Sequence, residues 1–549
     1  MLQKTKSKII LLILLFSFPQ LSFIPLSNLS KNFLPPYIAE NDCIDAWIIV
    51  CGDRSDHELS TQIWLTSQWV YHQVQACGID EEDIYYIVAD YDKGYTAFED
   101  NITSDASLEY AFQTWAPSKV GASGFLGVYM VSHGGSNSMS ITPFGSYTAA
   151  ELDEDLAAFE AASGCDRILV IYEACSAGTF LDEPSDDNRI IITSTAPSLS
   201  SYLSPTPPNR AMFADNFFPY LVAGYSVGEA FAHANVDITA LGYGTSQEPH
   251  IEDSHDAIGH PVNAWGILPN GGDGIDANLL FICGPCQDIF ILPPFYLKIP
   301  IKQWFPWDQV VVTIPVNVQI EHTTVIDSAH VRVVPSNWEP PIPTDPEAMG
   351  GWDQAEDTYR FPLTLDPTGS GNWTGMIELF GPDRGDYRMT FIVEDVDGNR
   401  GPIAATQLGI NDEGTAPEDT VDPTVTIRNP YEGQIITEPI TVVAFGADDN
   451  SGLEDIQLLI NGDIVETEVM PNYLPYPELT YNLDPAAYGN GDLNITAIAT
   501  DNEGNTASFS ITVTIESNPK IPSYSVWVLM SAVSVGLFVI YLVVKREIK

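Results

Sequence analysis

The chain has 549 residues, with 22 Lys+Arg against 74 Asp+Glu and a formal net charge of −52. A surface that acidic excludes a protein built to neutralise phosphate backbones, so nucleic acid is not a partner. At 45% hydrophobic residues the chain can fill packed cores, which excludes wholesale disorder, and its length calls for several domains. The chain opens with Lys4, Lys6 and Lys8 followed by the apolar run from Ile9 to Phe16, so residues 1–23 read as a secretory signal peptide. No small-x-small cleavage site follows, which leaves retention as a signal anchor open, and residues 24–44 read as a linker. In an exported chain, seven cysteines fit one reactive thiol plus up to three disulfides among Cys43, Cys51, Cys77, Cys165, Cys283 and Cys286.

From residue 45 strands alternate with helices. Ala46–Val50 is a buried strand, Leu59–Cys77 a helix closed by Gly78, Ile84–Ala89 a second strand and Leu108–Trp115 a short helix. Phe125–Val131 is an unbroken apolar strand followed by Ser132-His133-Gly134-Gly135. Thr148 and Glu151 form a capping box for a helix over Ala149–Ala162. Ile168–Tyr172 is again a continuous β-branched run, followed by Glu173-Ala174-Cys175-Ser176-Ala177-Gly178. Ile190–Thr193 is a further strand, and Met212–Val222 and Val227–Ala234 are helical. This alternation predicts a mostly parallel sheet flanked by helices, an α/β domain over 45–285. Open α/β sheets carry their chemistry at the carboxyl ends of strands. His133 and Cys175 each stand just past such an end, and an imidazole beside a thiol is what a nucleophilic cysteine needs at neutral pH.

The ordered pair of His-Gly after one apolar strand and Glu-Ala-Cys-Ser-Ala-Gly after the next resembles the legumain-type cysteine peptidases and the related catalytic subunit of the glycosylphosphatidylinositol transamidase, within the caspase-like clan. The resemblance extends from about Asp45 to Cys283. It implies a caspase-like fold, His133 as general base, Cys175 as nucleophile, and an oxyanion hole from the Gly134 and Cys175 amides. It also implies substrate-binding roles for Glu173, in the primary specificity pocket, and for Ser201 and Tyr202, in the loop after Ile190–Thr193. Two alternatives stay open: Glu173 only satisfies loop amides, and the Ser200-Ser201-Tyr202 stretch is a solvated loop. The family's asparagine past the first strand has no counterpart in Gly52-Asp53-Arg54-Ser55-Asp56-His57-Glu58, and its basic residue is replaced by Ser60-Thr61, so strict asparaginyl specificity does not follow.

Two further clusters in this half are weighed by chemistry. His250-Ile-Glu-Asp-Ser-His-Asp256 gathers carboxylates and imidazoles in a predicted loop, as a metal site or as a solvated acidic segment. Cys283-Gly-Pro-Cys286 has redox spacing but runs into prolines rather than a helix, and reads as a structural staple at a domain edge. No P-loop, dinucleotide fingerprint or zinc-peptidase helix is present.

Beyond Pro293 the texture becomes β. Short alternating strands include Val310–Val316, His330–Val334 and Arg388–Val393, and Gly385–Asn399 parallels Gly491–Asn505 at about one immunoglobulin-like domain length. The prediction is two immunoglobulin-like sandwiches over 286–411 and 423–516, joined by an acidic linker at 412–422. No metal or cofactor is required; calcium at Asp395/Asp397 or Asp501/Glu503 is the one left open, against a plain solvated turn. After a linker at 517–524, residues 525–544 are apolar and uncharged for a bilayer's length, and the Lys545–Lys549 tail is basic. The predicted topology is single-pass in the cell membrane, with the catalytic and immunoglobulin-like domains extracytoplasmic and the tail at 545–549 inside. Sequons stand at Asn101, Asn372 and Asn494.

Two classes of function follow. One is a membrane-anchored cysteine endopeptidase acting on a peptide or protein through a thioacyl-enzyme, or a transpeptidase or transamidase using the same intermediate. The other is an adhesion or envelope protein whose caspase-like domain is inert.

Overall fold

The computed structural model describes residues 45–516, apart from 53–58, 90–99, 142–144, 262–272, 283–302, 320–325, 341–357, 367–371, 397–399, 416–417, 449–450, 470–477 and positions 123, 187, 256, 336 and 339. The predicted signal peptide, the linkers at 24–44 and 517–524, the transmembrane helix and the tail lie outside the described residues. So do Cys43, Cys283 and Cys286. Among the described residues no helix is long and apolar enough to cross a membrane.

The first unit is α/β. In chain order it contains β1 (Asp45–Cys51), α1 (Ser60–Ala76), β2 (Ile84–Val88), β3 (Asn101–Ile102), α2 (Asp105–Tyr110), a π turn (Ala111–Trp115), α3 (Ala116–Lys119) and β4 (Phe125–Val131). A small hairpin system of β5 (Gly134–Gly135), β6 (Ser138–Ser140) and β7 (Ser146–Thr148) precedes α4 (Ala149–Ser163), β8 (Ile168–Glu173), β9 (Arg189–Thr193), α5 (Met212–Val222), α6 (Val227–Ala240), β10 (His250–Glu252) and α7 (Ile275–Leu279). The main sheet runs β10-β9-β8-β4-β1-β2-β3, parallel throughout except for the antiparallel edge strand β10. Strands β1, β4 and β8 are buried along their lengths because helices cover both faces. One core packs α1, α5 and α6 on the sheet through Trp69, Phe217, Phe218 and Phe231; the other packs α2 and α4 through Leu108, Phe112, Leu156 and Phe159.

Local chemistry explains where the helices begin. The predicted capping box at Thr148 and Glu151 is present, and Gly164 closes α4 in the left-handed region at φ 71°. The helix predicted over 108–115 is the middle of a longer helical run, because Ser104 and Ser107 form a capping box that starts it at Asp105. Helix α6 runs on to Ala240, started by a Ser226/Glu229 box. The predicted loop at 250–256 begins instead with β10, since His250 pairs Thr193 and Glu252 pairs Ile191.

The rest is β. Strands β11 (Gln303–Pro306), β12 (Val311–Gln319), β13 (Ile326–Pro335), β14 (Tyr359–Leu365), β15 (Asn372–Phe380), β16 (Gly385–Asp395) and β17 (Arg400–Asn411) form a seven-stranded sheet wrapped around one core. Then β18 (Thr424–Asn429), β19 (Ile435–Ile436), β20 (Ile440–Ala447), β21 (Leu453–Ile460), β22 (Asp463–Val469), β23 (Glu478–Leu483), β24 (Gly491–Asp501) and β25 (Thr506–Ile515) make a three-stranded and a five-stranded sheet around a second core. The sequence repeat is structural: its two copies fall on the β16–β17 and β24–β25 hairpins.

These β units are docked on the α/β unit. Arg388 of β16 makes a bidentate pair with Glu229 of α6 (2.8 and 2.7 Å), lies 3.8 Å from the Tyr225 ring centroid, and is joined there by Ile392 in the α/β core. Arg332 of β13 donates to the Ala223 carbonyl between α5 and α6. Arg428 of β18 donates to Asp276 of α7 and, at 3.0 Å, to the Asp253 carbonyl. In a chain with so few cations, several of them sit at contacts between units, where an unpaired partner would be costly.

Candidate active site

Strand register brings the two sequence-predicted residues to one level. Strands β4 and β8 are adjacent and parallel, with Val131 opposite Glu173, so His133 and Cys175 each stand two residues beyond the same last rung. Gly134 ties the two turns together. A side chain there would lie within contact distance of the Cys175 carbonyl, 2.8 Å from Ala174 Cβ and 2.9 Å from the Tyr172 hydroxyl. The histidine turn therefore rests on the cysteine turn, and only glycine allows that approach. Ser140 N donates to the His133 carbonyl at 2.9 Å, so hairpin β5–β6 braces the histidine from outside.

Cys175 is half-buried and not in a disulfide. Its Sγ faces the Ser201 carbonyl at 3.9 Å. The next residue, Ser176, is held in the left-handed region at φ 58°, an uncommon conformation for a residue with a side chain, and it sharpens the turn after Cys175. Ser176 N donates to the Leu199 carbonyl at 2.8 Å, while buried Ser194 brackets Ala174, accepting from its N at 3.2 Å and donating to its carbonyl at 3.4 Å. The thiol is thus presented by a turn fastened on both sides.

Of the other described cysteines, Cys51 and Cys165 are buried and outside any disulfide, and Cys77 is disulfide-bonded. Burial pushes the Cys165 thiol up to about 11. Tyr172 is raised above the usual phenol range, first by burial and then by the nearby Cys175 sulfur.

Glu173 lies beneath this site, 1% exposed. One carboxylate oxygen accepts from Tyr129 Oη (2.8 Å) and the other from Phe213 N (2.9 Å), with Ala214 N close to both, so the carboxylate caps the start of α5. Burial pushes its pKa up to about 7, against the opposing effect of these hydrogen bonds. Of its two sequence readings, satisfaction of backbone amides is the one that describes its contacts. Tyr202 is exposed and lies against Tyr243 with the rings tilted by 51° (centroids 5.1 Å apart), while its backbone is fixed: its N–H donates to Gln247 Oε1 (2.8 Å) and its carbonyl accepts from Met212 N (2.9 Å). The loop with Ser201 and Tyr202 is therefore ordered, and Ser201 is the part facing the thiol.

Sequence reasoning missed Ser194 and Gln247. Ser194 carried a readable mark, the Thr-Ser-Thr run at a strand end. Gln247, fully buried, carried none, because its role depends on a loop returning from α6.

The cluster at 250–256 is occupied with structure. The Asp253 carboxylate accepts from Gly274 N and Ala277 N at the start of α7, and His255 Nε2 lies 3.0 Å from Arg428. Of the two calcium alternatives, Asp397 lies outside the described residues. Asp501 groups with Asp419 and Asp448, their carboxylate oxygens within 4.8 Å of one another, whereas Glu503 contributes only a backbone N–H to Asp501. These carboxylates also accept from the amides of Val421, Ser451, Gly452 and Asn505.

Comparison with known proteins meets this geometry at one place. Residues 119–229, which carry β4, the His133 turn, β8 and the Cys175 turn, match the model of the peptidase C13 family. That match supports cysteine-peptidase or transamidase-type chemistry, acting on peptides or proteins. No curated protein matches the chain. Among solved structures, similarity is found to the fibronectin(III)-like modules of CbhA from Clostridium thermocellum (15% identity, 42% of this chain and 97% of that one, TM-score 0.16). It is also found to an endo-beta-1,4-mannanase from Thermotoga petrophila (17% identity, 23% of this chain and 29% of that one, TM-score 0.16). Likenesses at such TM-scores carry no argument about this chain.

Proposed function

We propose that the chain is a cysteine endopeptidase of the caspase-like clan, cleaving peptide bonds through a thioacyl-enzyme on Cys175 with His133 as its base. The observation that carries this reading is the shared register of the two turns, with Gly134 seated against the Cys175 carbonyl. His133 takes the Cys175 thiol proton as the sulfur attacks the scissile carbonyl carbon. The carbonyl oxygen becomes an oxyanion facing the Gly134 and Cys175 amides. The C–N bond then breaks, and the proton held by His133 leaves on the new amine. Water, deprotonated by His133, cleaves the thioester and restores the thiol. An amine acceptor in place of water would turn the same intermediate into a transamidation product.

The membrane-anchored, extracytoplasmic placement belongs to this proposal and rests on the two apolar segments and their basic flanks. Protease shaving of intact cells should remove everything before Ser525; survival of the whole chain until lysis would contradict it. The β units belong to the enzyme as docked modules, and their immunoglobulin-like character rests on the repeat and on strand spacing.

The test of the activity is a panel of internally quenched peptides, with the full chain compared with Cys175→Ala, and with hydroxylamine added as a competing acceptor. Cleavage lost in Cys175→Ala supports the reading, and a hydroxamate product marks the acyl-enzyme. Equal cleavage by both proteins would overturn it.

A further inference from the structure

A cavity of about 530 Å³ is lined on one side by residues that follow the two turns bearing His133 and Cys175. Gly178 and Thr179 come from the turn after Cys175, and Asn137 from the turn after Gly134. These turns are bonded together: Asn137 N donates to Thr179 Oγ1 at 2.9 Å, and Thr179 Oγ1 reaches the Ser176 carbonyl at 2.9 Å and the Gly135 carbonyl at 3.4 Å. One wall of the cavity is therefore hydrogen-bonded to the turns that bear His133 and Cys175. Its apolar lining comes from Leu181, Pro197 and Ile258, the last 59% exposed. Its rim carries the exposed carboxylates of Asp182 and Glu183, and Asn137 Nδ2 donates to Glu183 Oε1 at 3.0 Å, which holds that carboxylate at the mouth.

The opposite wall, Ala257 to Gly259, is held in place by distant parts of the chain. Its base is the mutual pair between Ile251 and His260, and His260 in turn bonds Asp273. Arg428 of the second β unit grips the segment from behind through the Asp253 carbonyl and His255 Nε2. His255 and Ala257 are both held at positive φ, 64° and 63°, which the surroundings must enforce in residues bearing a side chain. A side chain at Gly259 would meet Leu181, so the two walls touch at the closed end.

We propose that this cavity is a substrate subsite flanking the scissile bond, and that it takes a lysine or arginine side chain. Resting on the peptidase reading of the site, the inference specifies its substrate class. An aliphatic stem fits along Leu181, Pro197 and Ile258, and the cation ends at Glu183 and Asp182. His250, also in the lining, is tied to Glu248 at 3.0 Å and so is turned toward a carboxylate of its own.

In a chain of net charge −52, a general attraction for cations has to be separated from a local one. The experiment uses full-length Cys175→Ala, which binds without turnover, and measures fluorescence anisotropy with labelled peptides that differ only in Lys, Arg, Ala or Glu at each position around the cleavable bond. At one flanking position Lys or Arg should bind about tenfold more tightly than Glu, a difference of about 1.4 kcal/mol. Adding Glu183→Lys should reverse that preference at that position alone. Adding Glu466→Lys, an exposed charge on β22, should leave it unchanged. Adding Arg428→Ala should blunt it by releasing the far wall. Equal binding of Lys and Glu peptides at every position, or an equal loss from Glu183→Lys and Glu466→Lys, overturns the subsite. A bound peptide that the wild-type chain never cleaves overturns the peptidase reading instead, so the two failures are distinct.

Discussion

The two edges of the parallel sheet hold similar residues and use them in opposite ways. At the amino edge, ahead of β8, Cys165 is 2% exposed, lies 3.3 Å from the Gly124 carbonyl, and is pushed by burial up to about 11. At the carboxyl edge, after the same strand, Cys175 is half-buried beside a histidine turn and ends a backbone that bends through a left-handed serine. Both are free thiols on one strand's flanks. Burial pushes the first thiol up and away from reaction, whereas the second stands half-buried at a strand end, where the proposed mechanism needs it.

The largest expected effect comes from exchanging the thiols. Cys175→Ala should lower peptide cleavage by several orders of magnitude, whereas Cys165→Ala should leave the rate within about twofold and cost roughly 1–2 kcal/mol in urea unfolding. Glycines extend the comparison. Gly134→Ala drives a methyl into the Cys175 carbonyl and should lower kcat/KM about 100-fold. Gly164→Ala, at the C-terminal end of α4 with φ 71°, should cost about 1 kcal/mol of stability and leave kcat/KM alone. Thiol labelling separates the edges without kinetics: iodoacetamide on the native chain at pH 8 should modify Cys175 within minutes and Cys165 only after denaturation.

A further effect, on stability alone, is a pH dependence. Glu173 is raised by burial from 4.5 to about 7, so its contribution to stability is fully present below pH 4.5 and is lost as pH rises through about 7. Glu173→Gln keeps an acceptor for Phe213 N and removes the charge. Wild type should therefore lose up to about 3 kcal/mol relative to the glutamine variant between pH 4.5 and 8 in urea melts. Parallel curves would show that the carboxylate stays ionised throughout.

The strand ends were legible in the sequence because continuous β-branched runs such as Ile168–Tyr172 leave few other choices. His133 and Cys175 could be singled out as a candidate dyad because each follows an unbroken apolar run. Helix starts were readable wherever a capping box was noticed. Ser104/Ser107 starts α2 three residues before the predicted Leu108, but its N3 serine lacks the Glu or Gln that marks Thr148/Glu151, while at Ser226/Glu229 the predicted start at Val227 is the observed one and the helix runs on past Ala234 to Ala240. Contacts between chain segments far apart were not readable: Gln247 on Tyr202, Glu229 under Arg388, and Arg428 behind His255 each depend on how loops and units return to one another. Glu173 shows the same limit, since the resemblance implied a pocket role for it while its contacts with Tyr129, Phe213 N and Ala214 N depend on how α5 returns to β8.

The central claim is that Cys175 is the nucleophile that His133 activates. Its most direct test is peptide mapping by mass spectrometry after incubating the full chain with a peptidyl acyloxymethyl ketone panel, for wild type, His133→Ala and Cys175→Ala. The account predicts one adduct per wild-type chain, on Cys175, formed at least about 100-fold more slowly in His133→Ala and absent in Cys175→Ala. An adduct on Cys51 or Cys165, or a Cys175 adduct formed at an equal rate without His133, would contradict it.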